Sequence, residues 1–275
     1  MAADPLLPGP LWFVGCGNMG QAMLDGWVAA GVDPAHVSAV RPSGRAVGHG
    51  VRVLTDFPED EVPAIVLLAM KPHQLDAVAP ALAPILDPHT VLVSILAGVE
   101  LGSLRERFGT PETLVKAMPN LPVRLGKGVV GLHSDSADLA ARNTVTGLMA
   151  ALGHAEWFDD EALFGLAGLL TGAGPAFLFR FVDALAGASE RLGLPTEQAA
   201  RLATLMVEGA AALAAASDES AATLAERVAS PGGTTEAGLA MLDADDALAE
   251  LVARTLDAAR RRSLEMAAEA RPPSS

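Results

Sequence analysis

A strand-length apolar run, Leu11–Val14, passes straight into Gly15-Cys16-Gly17-Asn18-Met19-Gly20 and on into a helical stretch at 20–30. No other feature limits the fold of this 275-residue chain so tightly. A buried strand that turns into a helix without slack needs glycine where side chains would collide. The pattern then recurs. Val37–Val40 and residues 64–69, 90–95 and 113–117 are short apolar runs bounded by Gly, Pro, Asp or Ser, and read as buried strands. Residues 74–86 and 101–108 between them have helical character. This alternation predicts a parallel sheet covered on both faces. Further strands are expected at 129–133 and 155–158, flanking a helix at about 137–152.

From Glu161 onward the pattern changes. Alanine- and leucine-rich runs at helical spacing fill 162–170, 176–192, 197–216, 220–228, 236–242 and 247–268, with no strand pattern among them. The fold class is therefore α/β, a doubly wound sheet in residues 1–160 followed by an all-α domain in residues 161–275. The tail 271–275 reads as disordered. Residues 162–179 carry no charge, but Gly172-Ala173-Gly174-Pro175 is expected to break that run, and amphipathic helices follow. The first ten residues lack a basic segment ahead of an apolar one. A cytoplasmic protein with no membrane segment is expected.

Composition narrows the function. The net charge of −14 is shared equally by the two halves, and aromatic residues make up 4% with no tyrosine. Phosphate backbones need Lys and Arg, and bases need stacking platforms, so no nucleic-acid partner is expected. A single cysteine, Cys16, excludes an intrachain disulfide, and the six histidines show no metal-ligand spacing, so no metal is expected.

The strand, glycine loop and helix together form a dinucleotide fingerprint. Gly15 permits the tight turn, Gly17 lets a pyrophosphate approach the backbone, and Gly20 allows close helix–strand packing. Cys16 reads as a small filler of the turn and Met19 as packing beside the cofactor, with Asn18 opening the helix. At the end of the second strand an NAD site usually carries Asp or Glu. This chain has Val40-Arg41-Pro42-Ser43. Arg41 can face a 2′-phosphate and Ser43 can add a hydroxyl, so NADPH is favoured, with NADH as the alternative. Ala69-Met70-Lys71-Pro72 and the loop containing Ala97 follow later strands at the same edge, placing Lys71 near phosphate or ribose and Ala97 near the nicotinamide.

In the helical half stands Ser230-Pro231-Gly232-Gly233-Thr234-Thr235. Pro231 stiffens it, Gly232 and Gly233 leave backbone N–H groups approachable, and the threonines begin a helix. Such a loop can hold a small carboxylate beside a hydroxyl, although the same residues would also make an ordinary capped turn. The helical half contains no lysine, histidine or tyrosine. Alcohol dehydrogenation normally needs such a proton acceptor, whereas a cyclic imine can arrive already protonated. That disfavours a β-hydroxyacid dehydrogenase, which would carry a lysine on a second-domain helix. A related imine reductase and a non-catalytic NADP-binding sensor remain as alternatives.

Met118-Pro119-Asn120-Leu121-Pro122, Thr171-Gly172-Ala173-Gly174-Pro175-Ala176 and the loop at 230–235 follow the glycine loop in series. Together they resemble pyrroline-5-carboxylate reductase, from about Leu11 to Met266. The resemblance implies a Rossmann domain, a helical dimerisation domain, and a homodimer that can build into a decamer. It implies hydride transfer from NAD(P)H to the C=N carbon of 1-pyrroline-5-carboxylate, giving L-proline. It assigns Ser230, Gly232, Gly233 and Thr234 to the substrate carboxylate, Thr235 to the ring nitrogen as the catalytic residue, and Asn120 to the nicotinamide and substrate. The chain departs from the family at Val40 and Phe57, where asparagine is common, and at Lys116, where arginine is usual.

Overall fold

The structure is a computed structural model and describes residues 6–269, so the tail read as disordered lies outside the described residues. Eight strands form one sheet: β1 (Leu11–Val14), β2 (Val37–Val40), β3 (Arg52–Leu54), β4 (Ile65–Leu68), β5 (Val91–Ser94), β6 (Thr113–Met118), β7 (Gly128–His133) and β8 (Gly153–Trp157). Their spatial order is β3-β2-β1-β4-β5-β6-β7-β8. All neighbours are parallel except β6 and β7. The order reverses between β1 and β4, which makes their C-terminal ends the crevice where open α/β sheets take ligands.

Strand alternation explains the two-sided burial. Leu11, Phe13, Ile65, Leu67, Val93 and Val115 face one core with α1 (Asn18–Ala29) and, further along the chain, α4 (Leu139–Ala150). Trp12, Val14, Val66, Leu68, Leu92 and Leu114 face the other, with α2 (Leu75–Leu82) and α3 (Leu101–Arg107). Four of the strands are buried along their whole length, as their predominantly apolar sequences, broken only by Ser38 and Ser94, allow. The strand that sequence reading passed over is β3. It is three residues long at the sheet edge and begins on an exposed arginine, so neither its length nor its periodicity gives a signal.

After the sheet the described chain is helical: α5 (Glu161–Arg191), α6 (Thr196–Ala215), α7 (Ala221–Val228), α8 (Thr234–Asp243) and α9 (Ala247–Glu269). By contacts the chain forms two compact units. One holds the chain up to Ala173 together with the described residues from Arg260 on, and the other holds Gly174–Ala259.

One expectation is corrected here. Gly172-Ala173-Gly174-Pro175 does not break the apolar run, because α5 is a single helix of 31 residues with Pro175 inside it. It is long and apolar enough to cross a membrane by length and composition. Proline in a helix interior lacks the N–H that would bond the carbonyl four residues earlier, here that of Thr171. A side chain from the turn just after β6 replaces the missing donor: Asn120 Nδ2 donates to the Thr171 carbonyl at 3.0 Å. With that acceptor satisfied, the helix continues.

Candidate functional site

The glycine loop is tied to both strands that flank β1. Gly15 N–H donates to the Val40 carbonyl at 2.9 Å, and Gly17 N–H to the Ala69 carbonyl at 3.4 Å. Gly15 has φ +78°, and a Cβ there would lie 2.9 Å from the backbone of Met70, so any larger residue is both strained and obstructed. A Cβ on Gly20 would lie 3.3 Å from the Ala69 side chain, the close helix–strand approach expected of it. Gly17 is the N-cap of α1 and offers no side-chain cap, which leaves the first-turn N–H groups at Asn18, Met19 and Gly20 facing outward with the positive end of the helix dipole. Gly17 and Asn18 are exposed. The cradle therefore fits a pyrophosphate in donors, charge and clearance. Cys16 is half-buried, and burial, only partly offset by the Arg41 charge, pushes its thiol up to about 11. It is a filler, not a reactive thiolate.

At the end of β2, Gly44 N–H donates to the Arg41 carbonyl at 3.0 Å, closing a turn over residues 41–44 that begins next to Val40, the residue whose carbonyl holds Gly15 N–H. No ion pair holds the Arg41 guanidinium among the described residues. Within α1, Asp25 meets His49 Nε2 at 2.9 Å and Arg124 Nε at 3.0 Å. Burial would raise the Asp25 carboxyl, but its hydrogen bonds to His49 and Gln21 and the Arg124 charge hold it below the usual range. After β4, Lys71 is exposed and Pro72 opens a short 3₁₀ turn braced by Gln74 Oε1, which accepts from Lys71 N–H at 3.0 Å. After β5, Ala97 is exposed at the same sheet edge. Phe57, where the resemblance led one to look for asparagine, packs on Trp12 with ring centroids 6.1 Å apart.

Beyond β6, Asn120 is 7% exposed and its carboxamide is engaged at both ends. Nδ2 reaches Thr171 as described, and Oδ1 accepts from Val129 N–H at 2.9 Å. Lys116, two residues before Met118, donates to Glu161 Oε1 at 2.6 Å and lies over the Phe164 ring at 5.2 Å. Glu161 Oε1 also accepts from Leu101 N–H at 3.0 Å, capping α3 from outside. Burial pushes the Glu161 carboxyl up, yet the Lys116 bond and charge and the Leu101 N–H outweigh it and leave it below the ordinary glutamate range. Glu161, Phe164, Gly168 and Thr171 thus lie along one face of α5 and dock its first turns on the sheet. A Cβ at Gly168 would fall on the Met118 sulfur. Sequence reading missed Glu161 as a site support, since its partners are 45 and 60 residues away.

The second unit carries the other motif. Gly233 N–H donates to the Ser230 carbonyl at 2.9 Å, and Gly232 has φ +68°, so Ser230–Gly233 is a turn of the kind that Pro-Gly at its centre favours. α8 starts at Thr234, with Gly233 as N-cap and no side-chain cap, so the Thr234 and Thr235 N–H groups stand at the positive helix end. Among the described residues neither threonine hydroxyl makes a hydrogen bond. Gly232 N–H is engaged: it donates to Glu236 Oε2 at 2.7 Å. Glu219, which precedes α7, is ion-paired with Arg227 at 2.6 Å.

Comparison with known proteins agrees with both halves. Residues 161–266 match the family described as pyrroline-5-carboxylate reductase dimerisation, and residues 10–98 match one described as NADP oxidoreductase coenzyme F420-dependent. The chain is 37% identical over 265 residues to a pyrroline-5-carboxylate reductase of Pseudomonas aeruginosa, covering 93% of this chain and 96% of that one. A pyrroline-5-carboxylate reductase structure from Coxiella burnetii superposes with a TM-score of 0.85 at 31% identity, covering 94% of this chain and 98% of that one. A pyrroline carboxylate reductase from Plasmodium falciparum, solved with NADP bound, has the same fold, with a TM-score of 0.82 at 24% identity over 94% of this chain and 98% of that one. With identity spread over nearly the whole length and motifs falling on the sheet edge and the head of α8, the chain belongs to the pyrroline-5-carboxylate reductase family.

Proposed function

We propose that this protein reduces 1-pyrroline-5-carboxylate to L-proline, using NADPH in preference to NADH. The observation that carries this reading is the presence in one chain of two complementary anion cradles, at the heads of α1 and α8, in a family of that activity. Bound NADPH supplies the hydride that adds to the C=N carbon.

The protein's part is binding and orientation. Gly15, Cys16, Gly17, Asn18, Met19 and Gly20 receive the pyrophosphate, Arg41 and Ser43 the 2′-phosphate, and Ala69, Met70, Lys71, Pro72 and Ala97 line the crevice edge. Asn120 orders the turn beside the nicotinamide position. The substrate carboxylate docks on the 230–234 loop, where Gly232 and Thr234 offer N–H groups and Ser230 a hydroxyl. Gly233 contributes clearance, its N–H being used by Ser230. The Thr235 hydroxyl faces the ring nitrogen and accepts from its N–H when the imine is protonated. Residues 1–160 act as the cofactor domain and residues 161–275 as the substrate and dimerisation domain. The working form is a cytoplasmic homodimer or a larger ring of dimers, which would cover exposed apolar side chains such as Phe179, Leu205 and Met241.

The test is NADPH oxidation with DL-1-pyrroline-5-carboxylate, followed by absorbance, with NADH in parallel and L-proline identified as product. Imine-dependent turnover favouring NADPH supports the reading. Stoichiometric NADPH binding without turnover would leave a sensor.

A further inference from the structure

The 2.7 Å bond between Gly232 N–H and Glu236 Oε2 puts a carboxylate of the protein on a donor assigned to the substrate's carboxylate. Glu236 is the third residue of α8 and is exposed, so its carboxylate folds back over the helix head without being packed there. Three physical facts follow. The bond is charge-assisted and short, hence among the stronger ones available to a loop N–H. The site beside it is favourable for negative charge, because unpaired N–H groups and the helix dipole converge there. And one N–H at this distance cannot serve two carboxylates, whose like charges repel within a few ångströms.

We infer that Glu236 is a resident competitor for the substrate carboxylate, a specificity-determining residue that must leave Gly232 before the substrate can bind. The inference rests on the reading of the 230–235 loop as the carboxylate site. Since Glu236 is exposed, release costs a side-chain rotation into solvent and the loss of one bond. The substrate's carboxylate replaces that bond and adds contacts to Thr234, which Glu236 cannot make while bound to Gly232. Between turnovers Glu236 keeps the turn ordered. It raises KM for any carboxylate-bearing ligand and leaves an imine without a carboxylate unaffected.

The experiment compares wild type, Glu236→Gln and Glu236→Ala with two substrates: 1-pyrroline-5-carboxylate, and 1-pyrroline, which has the same C=N bond and no carboxylate. Both variants are expected to lower KM for the carboxylated substrate about 2–10-fold, the scale of one charge-assisted contact at a helix head. Expected kcat and KM for NADPH stay within about twofold of wild type, KM for 1-pyrroline is unchanged, and inhibition by L-proline strengthens in step. An unchanged or raised KM for 1-pyrroline-5-carboxylate would overturn the inference and leave Glu236 as a cap that orders the loop. An equal fall in KM for 1-pyrroline would overturn it too, since a carboxylate contest cannot act on that molecule. Failure of the underlying reading looks different, because wild type itself would then not reduce 1-pyrroline-5-carboxylate.

Discussion

Two side chains decide most of the proposed chemistry. Thr235 is the second residue of α8, it is not the cap, and among the described residues its hydroxyl makes no hydrogen bond. Thr235→Ala is therefore expected to leave thermal stability nearly unchanged while lowering kcat/KM about 10–100-fold, the range for losing one positioned hydrogen bond in a transition state. Steady-state kinetics together with an NADPH titration check it, and NADPH affinity should not move. Arg41 carries the cofactor preference. Its guanidinium has no carboxylate partner among the described residues, which leaves it available to a phosphate. Arg41→Ala should raise KM for NADPH about tenfold and leave KM for NADH close to wild type. An equal loss with both cofactors would place Arg41 in the fold and not in the discrimination.

At the scale of elements, α5 depends on the turn after β6 for a bond that its own sequence removes. Pro175 takes away the donor to Thr171, and Asn120 supplies it while also holding Val129. Asn120→Ala is expected to cost about 1–3 kcal/mol, because two partly buried backbone groups lose their partner. In a Pro175→Ala background the helix regains its own donor, so the same change should cost about 1–2 kcal/mol less. Denaturant unfolding of the four proteins measures that coupling, and additivity would show that the proline and the asparagine are unrelated. The Lys116–Glu161 pair behaves differently because it titrates. Glu161 is held below the ordinary glutamate range, so its contribution is fully present above that range and is lost as pH falls below it through the lowered folded-state value. Lys116→Met should destabilise the protein by about 1 kcal/mol at neutral pH, a figure reduced for partial exposure, and the difference should shrink in acid.

For the whole molecule, the sheet unit and the helical unit differ in how they are covered. The buried strands and the helices packed on them let the sheet close its own cores on both faces. The helical unit shows large apolar side chains, among them Phe179 at 61% and Leu205 at 55% exposed. Such exposure, in residues that match a dimerisation family, is what an association surface would leave open in a single chain. Sedimentation should therefore report a species at least twice the 28.1 kDa chain mass. Introducing a charge there, as in Leu205→Glu, should shift the equilibrium towards monomer and make stability depend on protein concentration. A wild-type monomer at micromolar concentration would remove that role from the surface.

What was legible in the chain was whatever rests on local chemistry. Leu11–Val14 followed by six residues with three glycines defines a strand, a turn and a helix by sterics alone, and Pro231-Gly232 defines its turn by fixed and positive φ. Short continuous apolar runs bounded by turn residues likewise specify strands buried on both faces. The three-residue edge strand Arg52–Leu54 escaped because pairing with a neighbour, not its own pattern, makes it a strand. The helix through Pro175 escaped for a related reason: proline's missing donor is visible in sequence, but the asparagine that replaces it stands 51 residues from the carbonyl it serves. The same holds for Glu161, whose lysine and backbone partners come from β6 and the head of α3. Local rules govern torsion angles and burial, whereas a long-range hydrogen bond exists only once the sheet has placed its two ends together, and only the tertiary structure decides that.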